Sequence, residues 1–240
     1  MKLMGKIFIQ GKIETKTGLH IGGSKTVLDI GGIDNPVIKD ALGRPYIPGS
    51  SLKGKIRSLL ERESGKLELH KTGNIATIFG IGASDKSSLG PTRFYARDAY
   101  LNAQSEKEMK EKTGQFKELE LDYTEGKWEN TIDRLTSKAS NPRQSERVPA
   151  KAFFDVEFVF NVFEKSDLNL FIKEVLKGIR LLEDDYIGGS GSRGYGQIEF
   201  TDIAIKVKNI SHYETDNQGV VIEKNHHNLK REDLEKYFAG

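Results

Sequence analysis

The 240-residue sequence predicts an α+β fold in which two amphipathic helices each link one strand to the next. Three patterns carry that expectation: apolar residues alternating with polar ones at the N-terminus, apolar stripes at helical spacing in two separate segments, and aromatic or β-branched runs around them. Ile7, Ile9 and Ile13 give the opening strand one buried face. A long Gly-rich loop follows from Thr17 to Gly49, broken by Gly22-Gly23, Gly31-Gly32, Pro36, Pro45 and Pro48. Loops of this length in a compact protein are functional or disordered, and Ile21, Val27, Leu28, Ile30, Ile33, Val37 and Ile38 argue against disorder.

The first helix is expected after Pro48-Gly49-Ser50, with Ser50 as its capping hydroxyl and Leu52, Ile56, Leu59 and Leu60 as its apolar stripe. Lys53 and Arg57 sit one turn apart on the flank of that stripe. Residues 61–90 carry few signals, and 91–101 read as a strand. Residues 103–150 are polar and irregular and read as an insertion, with a protruding hairpin built from Glu129–Arg134 and Asn141–Arg147. Phe153–Phe163 is the next strand. A second helix over 167–183, capped by Ser166 or Asp167, presents Leu168, Phe171, Val175, Ile179 and Leu182. The Gly-rich loop Gly188–Gly196 then leads into a final strand, Gln197–Val207, and a tail (211–240) with a short helix at Arg231–Phe238. Without its insertions the order is β-α-β-β-α-β over residues 1–210, the ferredoxin-like arrangement.

Composition excludes several classes. There is no cysteine, hence no disulfide framework and no thiolate metal site, which suits a reducing cytoplasm. No apolar run approaches the roughly 18 residues of a membrane span, so no membrane partner is expected. The net charge is only +2, but it is unevenly spread. Residues 1–60 carry 10 Lys/Arg against 4 Asp/Glu, and 134–151 carry 5 against 1, whereas 101–128 carry 7 acidic against 5 basic. The two basic zones are candidate phosphate-contacting surfaces, though ordinary solvated faces give similar counts.

Three loops hold the candidate chemistry. Gly189, Gly191 and Gly194 form a G-x-G-x-x-G match, but the loop follows a helix and precedes a strand, the reverse of a dinucleotide site. What remains is a loop whose clustered N–H groups suit an anion, with the Arg193 fork for phosphate and Tyr195 as a stacking face. Asp34 stands in Gly31-Gly32-Ile33-Asp34-Asn35-Pro36, where Pro36 restricts Asn35 to extended backbone. Such an aspartate serves as a turn residue or as a presented carboxylate. His20, in Gly18–Gly23, is a hydrogen-bonding residue or a ligand-facing one, and His226-His227 have no ligand partners at metal spacing.

Together, Gly18–Gly23, Ile33–Asp40, Ile47–Arg57, Glu129–Arg134, Asn141–Arg147 and Gly188–Gly196 resemble, in order, the RAMP-superfamily backbone subunit of the type III-A CRISPR effector, the Csm complex. The resemblance spans residues 5–200; the 61–90 stretch and the tail beyond Val207 match poorly, and the type III-B relatives share several of these motifs. It implies an RRM-like core with insertions, self-associated into a helical backbone along a CRISPR guide RNA and joined by other Csm subunits. It implies a thumb hairpin within about 103–150 that kinks the guide–target duplex, and Asp34 cleaving bound target RNA with Mg²⁺ or another divalent metal. It assigns His20, Ser51, Lys53, Arg57, Arg134, Arg143, Gly189, Gly191, Arg193 and Gly194 to RNA binding. Two other readings stay open at this stage: a non-catalytic scaffold of the same fold, and a metal-independent guide-processing nuclease.

Overall fold

Strand β1, Gly5–Thr15, sits at the centre because it is bonded on both edges, antiparallel in each case. The computed structural model describes residues 1–23, 33–65, 71–82, 89–223 and 227–238. On one edge of β1 lies β7, Phe153–Val162, and on the other β8, Ile198–Asn209. The short strands β3, Phe94–Ala96, and β4, Ala99–Leu101, both pair with β7, and β2, Tyr46–Ile47, pairs with β4. At the far edge β9, Val220–Glu223, adds to β8. With the β3–β4 pair counted as the second strand of the β-α-β-β-α-β series, the order across the sheet is fourth, first, third, second.

One face of the sheet is dry. Ile7, Ile9 and Ile13 are at most 2% exposed and share one core with Leu52, Ile56 and Leu60 of helix α1, Gly49–Glu63. Burial of each such side chain contributes about 1.5–3 kcal/mol. Helix α5, Leu176–Glu183, lies against α1 closely enough that a Cβ on Gly178 would stand 2.6 Å from Ile56 Cγ2, so only glycine fits there. Helix α2, Gly73–Phe79, closes the layer. The opposite face carries cross-strand polar pairs: Lys6 with Asn161, Lys12 with Asp202, and Glu157 with both Gln10 and Arg97.

Several sequence expectations need correction. Ser50 does not cap α1: the helix begins at Gly49, and the Asp98 carboxylate, between β3 and β4, accepts the Gly49 N–H at 2.7 Å. The cap is therefore tertiary. Residues 91–101 form two strands rather than one. The helix expected over 167–183 is α4, Asp167–Leu170, a π-helical turn, Phe171–Val175, and α5. Ser166 makes no side-chain cap, and Asp167 is fully buried, accepting N–H groups from Phe163 and Glu164 upstream. The 103–150 stretch is not wholly peripheral. It opens with α3, Ala103–Glu111, and Met109, Phe116 and Leu119 join the main core. Only its second half stands out, as the two-stranded hairpin of β5, Glu125–Ile132, and β6, Ala139–Arg147. The tail holds α6, Ile210–Glu214, then β9 and α7, Arg231–Glu235, and it docks through Leu229, Leu234 and Phe238. No helix among the described residues is long and apolar enough to cross a membrane. Val27, Leu28, Ile30, Gly31, Gly32 and His226 lie outside the described residues.

Candidate functional site

The β5–β6 hairpin is the piece around which the candidate residues gather. Residues 34–37 run along the outer edge of β6: Asn35 N–H donates to the Gln144 carbonyl at 3.3 Å, and Glu146 N–H donates to the Asn35 carbonyl at 2.9 Å. Extended backbone ahead of Pro36 makes this pairing available. Asp34 is exposed, and its Oδ2 accepts the Gln144 N–H at 3.0 Å. The carboxylate is thus oriented by backbone while facing water. Beneath it, the buried Glu146 carboxylate accepts from Val37 N–H (2.9 Å), Lys39 Nζ (2.6 Å) and Thr124 Oγ1 (2.6 Å). A buried carboxylate is stable only when so compensated, and this one ties the Asp34 loop to the hairpin root.

A second loop reaches the same root. Leu19 bridges to Val148, and His20 Nδ1 lies 2.6 Å from the Glu146 carbonyl. A carbonyl only accepts, so Nδ1 carries the proton and Nε2 is left free to accept in the neutral ring. The Gly188–Gly196 loop then docks on this strand-like segment: Gly189 N–H donates to the His20 carbonyl at 2.8 Å and Gly196 N–H to the Gly18 carbonyl at 2.9 Å. Gly188 has φ +83°, and a Cβ there would run into the His20 carbonyl, so glycine is required.

The anion cradle expected of this loop is only partly available. The amides of Gly189, Arg193, Gly194 and Gly196 already donate to backbone carbonyls. Tyr195 is not a stacking face: its side chain is 1% exposed, with Lys127 and Arg147 over its ring at 4.4 and 5.2 Å. Its hydroxyl donates to Glu129 Oε1 at 2.9 Å, and burial together with that carboxylate pushes its pKa up to about 12. Burial alone would raise the Glu129 carboxyl, yet the Tyr195 hydroxyl, Arg193 and Arg143 hold it below the ordinary value. Arg193 Nη2 lies 3.7 Å from Glu129 and 2.6 Å from Ser190 Oγ, and Arg143 reaches Glu129 at 3.3 Å. Glu129 therefore clamps the glycine loop to the hairpin.

Asp34, His20, Arg143, Arg193 and the loop of Gly189, Gly191 and Gly194 are brought to one root; Ser51, Lys53, Arg57 and Arg134 are not. Arg134 is exposed in the turn beyond β5, where Asp133 holds the chain through Leu135 and Thr136. Ser51, Lys53 and Arg57 project from α1. Arg57 is engaged with Glu61 (2.8 Å) and the Gly80 carbonyl (2.9 Å). Lys53 is half-buried, has no carboxylate partner among the described residues, and lies 5.7 Å from the Tyr95 ring centre. Burial, then the Arg57 charge, lowers its pKa. Lys55 links α1 to the glycine loop by pairing with Asp185 and covering the Tyr186 ring, against which Gly191 packs.

Sequence reasoning overlooked Glu129 and Glu146 as site residues. For Glu146 a signal existed: it is the one carboxylate among 5 cations in residues 134–151. As for a metal, the described residues contain no group of three or more His, Cys, Asp or Glu able to hold one. Mg²⁺ commonly takes one or two carboxylates, with phosphate and water completing its shell, so the single exposed Asp34 fits an ion shared with a phosphodiester.

Residues 12–199 match the RAMP superfamily. The CRISPR system Cms endoribonuclease Csm3 of Methanocaldococcus jannaschii is 48% identical over 226 residues, covering 89% of this chain and 86% of that protein. The Csm3 endoribonuclease of Methanothermobacter thermautotrophicus is 43% identical, covering 89% and 91%. Among solved structures, a chain of the Csm3–Csm4 subcomplex of the type III-A CRISPR-Cas interference complex superposes with a TM-score of 0.63 at 34% identity, covering 100% of this chain and 97% of its own. The chain belongs to the RAMP superfamily and, within it, to the Csm3 family of CRISPR endoribonucleases.

Proposed function

We propose that this chain is a guide-RNA-binding backbone subunit of a type III-A interference complex, acting in the cytoplasm, and that it cleaves target RNA paired to the guide. It repeats along the guide by self-association, next to Csm4- and Csm5-type subunits, so that cuts fall at regular intervals. The observation that carries the reading is Asp34: an exposed carboxylate oriented by the Gln144 amide at the root of a projecting hairpin.

RNA carries its own nucleophile, the 2′-hydroxyl, so the catalyst mainly aligns that oxygen in line with phosphorus and the leaving 5′-oxygen. The β5–β6 hairpin, as the thumb, unstacks one nucleotide and frees its backbone to reach that alignment. Asp34 then accepts the 2′-hydroxyl proton; alternatively, Asp34 would hold a divalent ion, which would supply charge stabilisation for the reaction. His20 Nε2, Lys53, Arg143 and Arg193 furnish hydrogen bonds and positive charge for the guide backbone, while Arg134 contacts RNA from the hairpin tip and Ser51 from α1.

The deciding experiment uses the reconstituted complex. Asp34→Ala should lower target cleavage by roughly 10²–10⁴-fold while assembly and guide binding persist. Cutting at the wild-type rate by the assembled variant would leave a scaffold reading in its place.

A further inference from the structure

The chain contains one tryptophan, and it is not in the core: Trp128 is 67% exposed on β5. An indole in water forgoes the burial that aromatic side chains normally supply, so this placement calls for a partner. Its position narrows the choice. Trp128 stands directly across from Gln144 in the β5–β6 register. Both backbone groups of Gln144 point the other way, the amide to Asp34 Oδ2 and the carbonyl to Asn35 N–H. Trp128 and Gln144 are therefore a non-hydrogen-bonded pair, the kind in which side chains stand closest. Strand alternation places Trp128, Gln144 and Asp34 on one face, while Glu129, Arg143, Ser145 and Arg147 take the other, toward Tyr195 and the glycine loop. With strands about 4.8 Å apart, the Trp128 backbone and the Asp34 loop are separated by roughly two strand spacings, about 10 Å.

We infer that Trp128 is the stacking platform for a base next to the bond that is cut, holding the unstacked nucleotide so that its phosphodiester faces Asp34. The inference rests on the cleavage reading above and names the side chain that presents the scissile nucleotide. The surroundings fit an RNA base better than a protein partner: Arg134 and Lys138 are exposed in the turn of the same hairpin. Every base has a π-face, so a stacking contact is indifferent to sequence, as an enzyme that cuts by position requires.

The test uses the assembled complex and two kinds of change. Trp128→Ala should slow cutting of a paired target roughly 5- to 100-fold, the range for loss of one base–aromatic stack, while Trp128→Phe stays within a few-fold of wild type. Target RNAs carrying one abasic ribose, with its 2′-hydroxyl intact, are scanned over the two nucleotides flanking the cut. At one of them the wild-type complex should show the same loss, and Trp128→Ala should add nothing further. Wild-type cutting by Trp128→Ala overturns the inference, as do losses that multiply when the two changes are combined. Loss of assembly with unchanged cutting per assembled complex also overturns it, making the indole a protein contact. Asp34→Ala run in parallel separates the two readings: if it is inactive while Trp128→Ala is normal, only the stacking role falls, and if both cut normally the cleavage site itself falls.

Discussion

Arg93 and Asp167 form a buried ion pair between the segment ahead of β3 and the start of α4. Their side chains are 1% and 0% exposed, with Arg93 Nε 3.3 Å from Asp167 Oδ1. Asp167 Oδ2 accepts the Phe163 N–H at 2.8 Å and the Glu164 N–H at 3.2 Å. Arg93 Nη1 donates to the carbonyls of Leu89 (2.8 Å) and Pro91 (2.6 Å), and its guanidinium covers the Phe163 ring. Asp167→Ala leaves that guanidinium buried without a counter-charge, at a cost of about 3–5 kcal/mol. The two amides lose their acceptor in a partly open turn, which adds roughly 1 kcal/mol. A loss of about 4–6 kcal/mol is a large share of the 5–15 kcal/mol typical of a folded chain. For this length it lowers Tm by roughly 10–20 °C. Urea unfolding followed by circular dichroism should show the midpoint falling at constant slope. Asp167→Asn, which keeps an acceptor for both amides, should lose less. The Arg93→Met, Asp167→Leu double variant should lose less than the sum of its single changes, because no charge is then left unpaired. A loss under about 1 kcal/mol for Asp167→Ala, or strict additivity in the double variant, would refute the reasoning.

Two other predictions concern the site. Lys53→Ala should reduce the slope of log K against log salt for guide binding by about 0.7, the value for one phosphate contact on a single strand; an unchanged slope removes Lys53 from the RNA surface. Tyr195, whose pKa is pushed up to about 12 from 10.0, holds its proton more tightly folded than unfolded. Its contribution to stability is therefore complete below pH 10 and is lost as the pH rises toward 12. Tyr195→Phe should flatten the stability curve in that window, and identical alkaline curves for the two proteins would contradict the burial of its hydroxyl.

The parts of the fold legible in the sequence are those governed by periodicity. Ile7, Ile9 and Ile13 announced β1, and the stripes of Leu52 to Leu60 and Leu168 to Leu182 announced both helices. Start points were misread because the groups that set them come from elsewhere in the chain. Gly49 is capped by Asp98, and Asp167 turns to Arg93 rather than to its own helix. No local pattern encodes such partners. Helix α2 escaped notice because seven residues offer barely two turns of periodicity. In the site, motif order identified the loops but not how they are used. Tyr195 looked like a stacking surface because an aromatic among glycines carries no sign of burial, whereas the buried Glu129 hydrogen bond decides its role. Trp128, which does face solvent, carried no local mark either.

The way these loops are joined bears on how the carboxylate works. Residues 18–20, 34–39, 144–148 and 188–196 are far apart in sequence, yet each is bonded to the next mainly through backbone: Gly189 to His20, His20 to the Glu146 carbonyl, and Glu146 to Asn35. Asp34 is then set by the Gln144 amide on the same strand. Backbone bonds between short loops cannot shift one at a time, so displacement of β6 at its root carries the Asp34 loop with it. Under the proposed function, a guide seated on the glycine loop and a target pressing on the hairpin would therefore act on opposite ends of one connected unit. The carboxylate is placed by the hairpin itself, so under the proposed function distortion of the strand by that hairpin and alignment of the phosphate with Asp34 would be a single mechanical event.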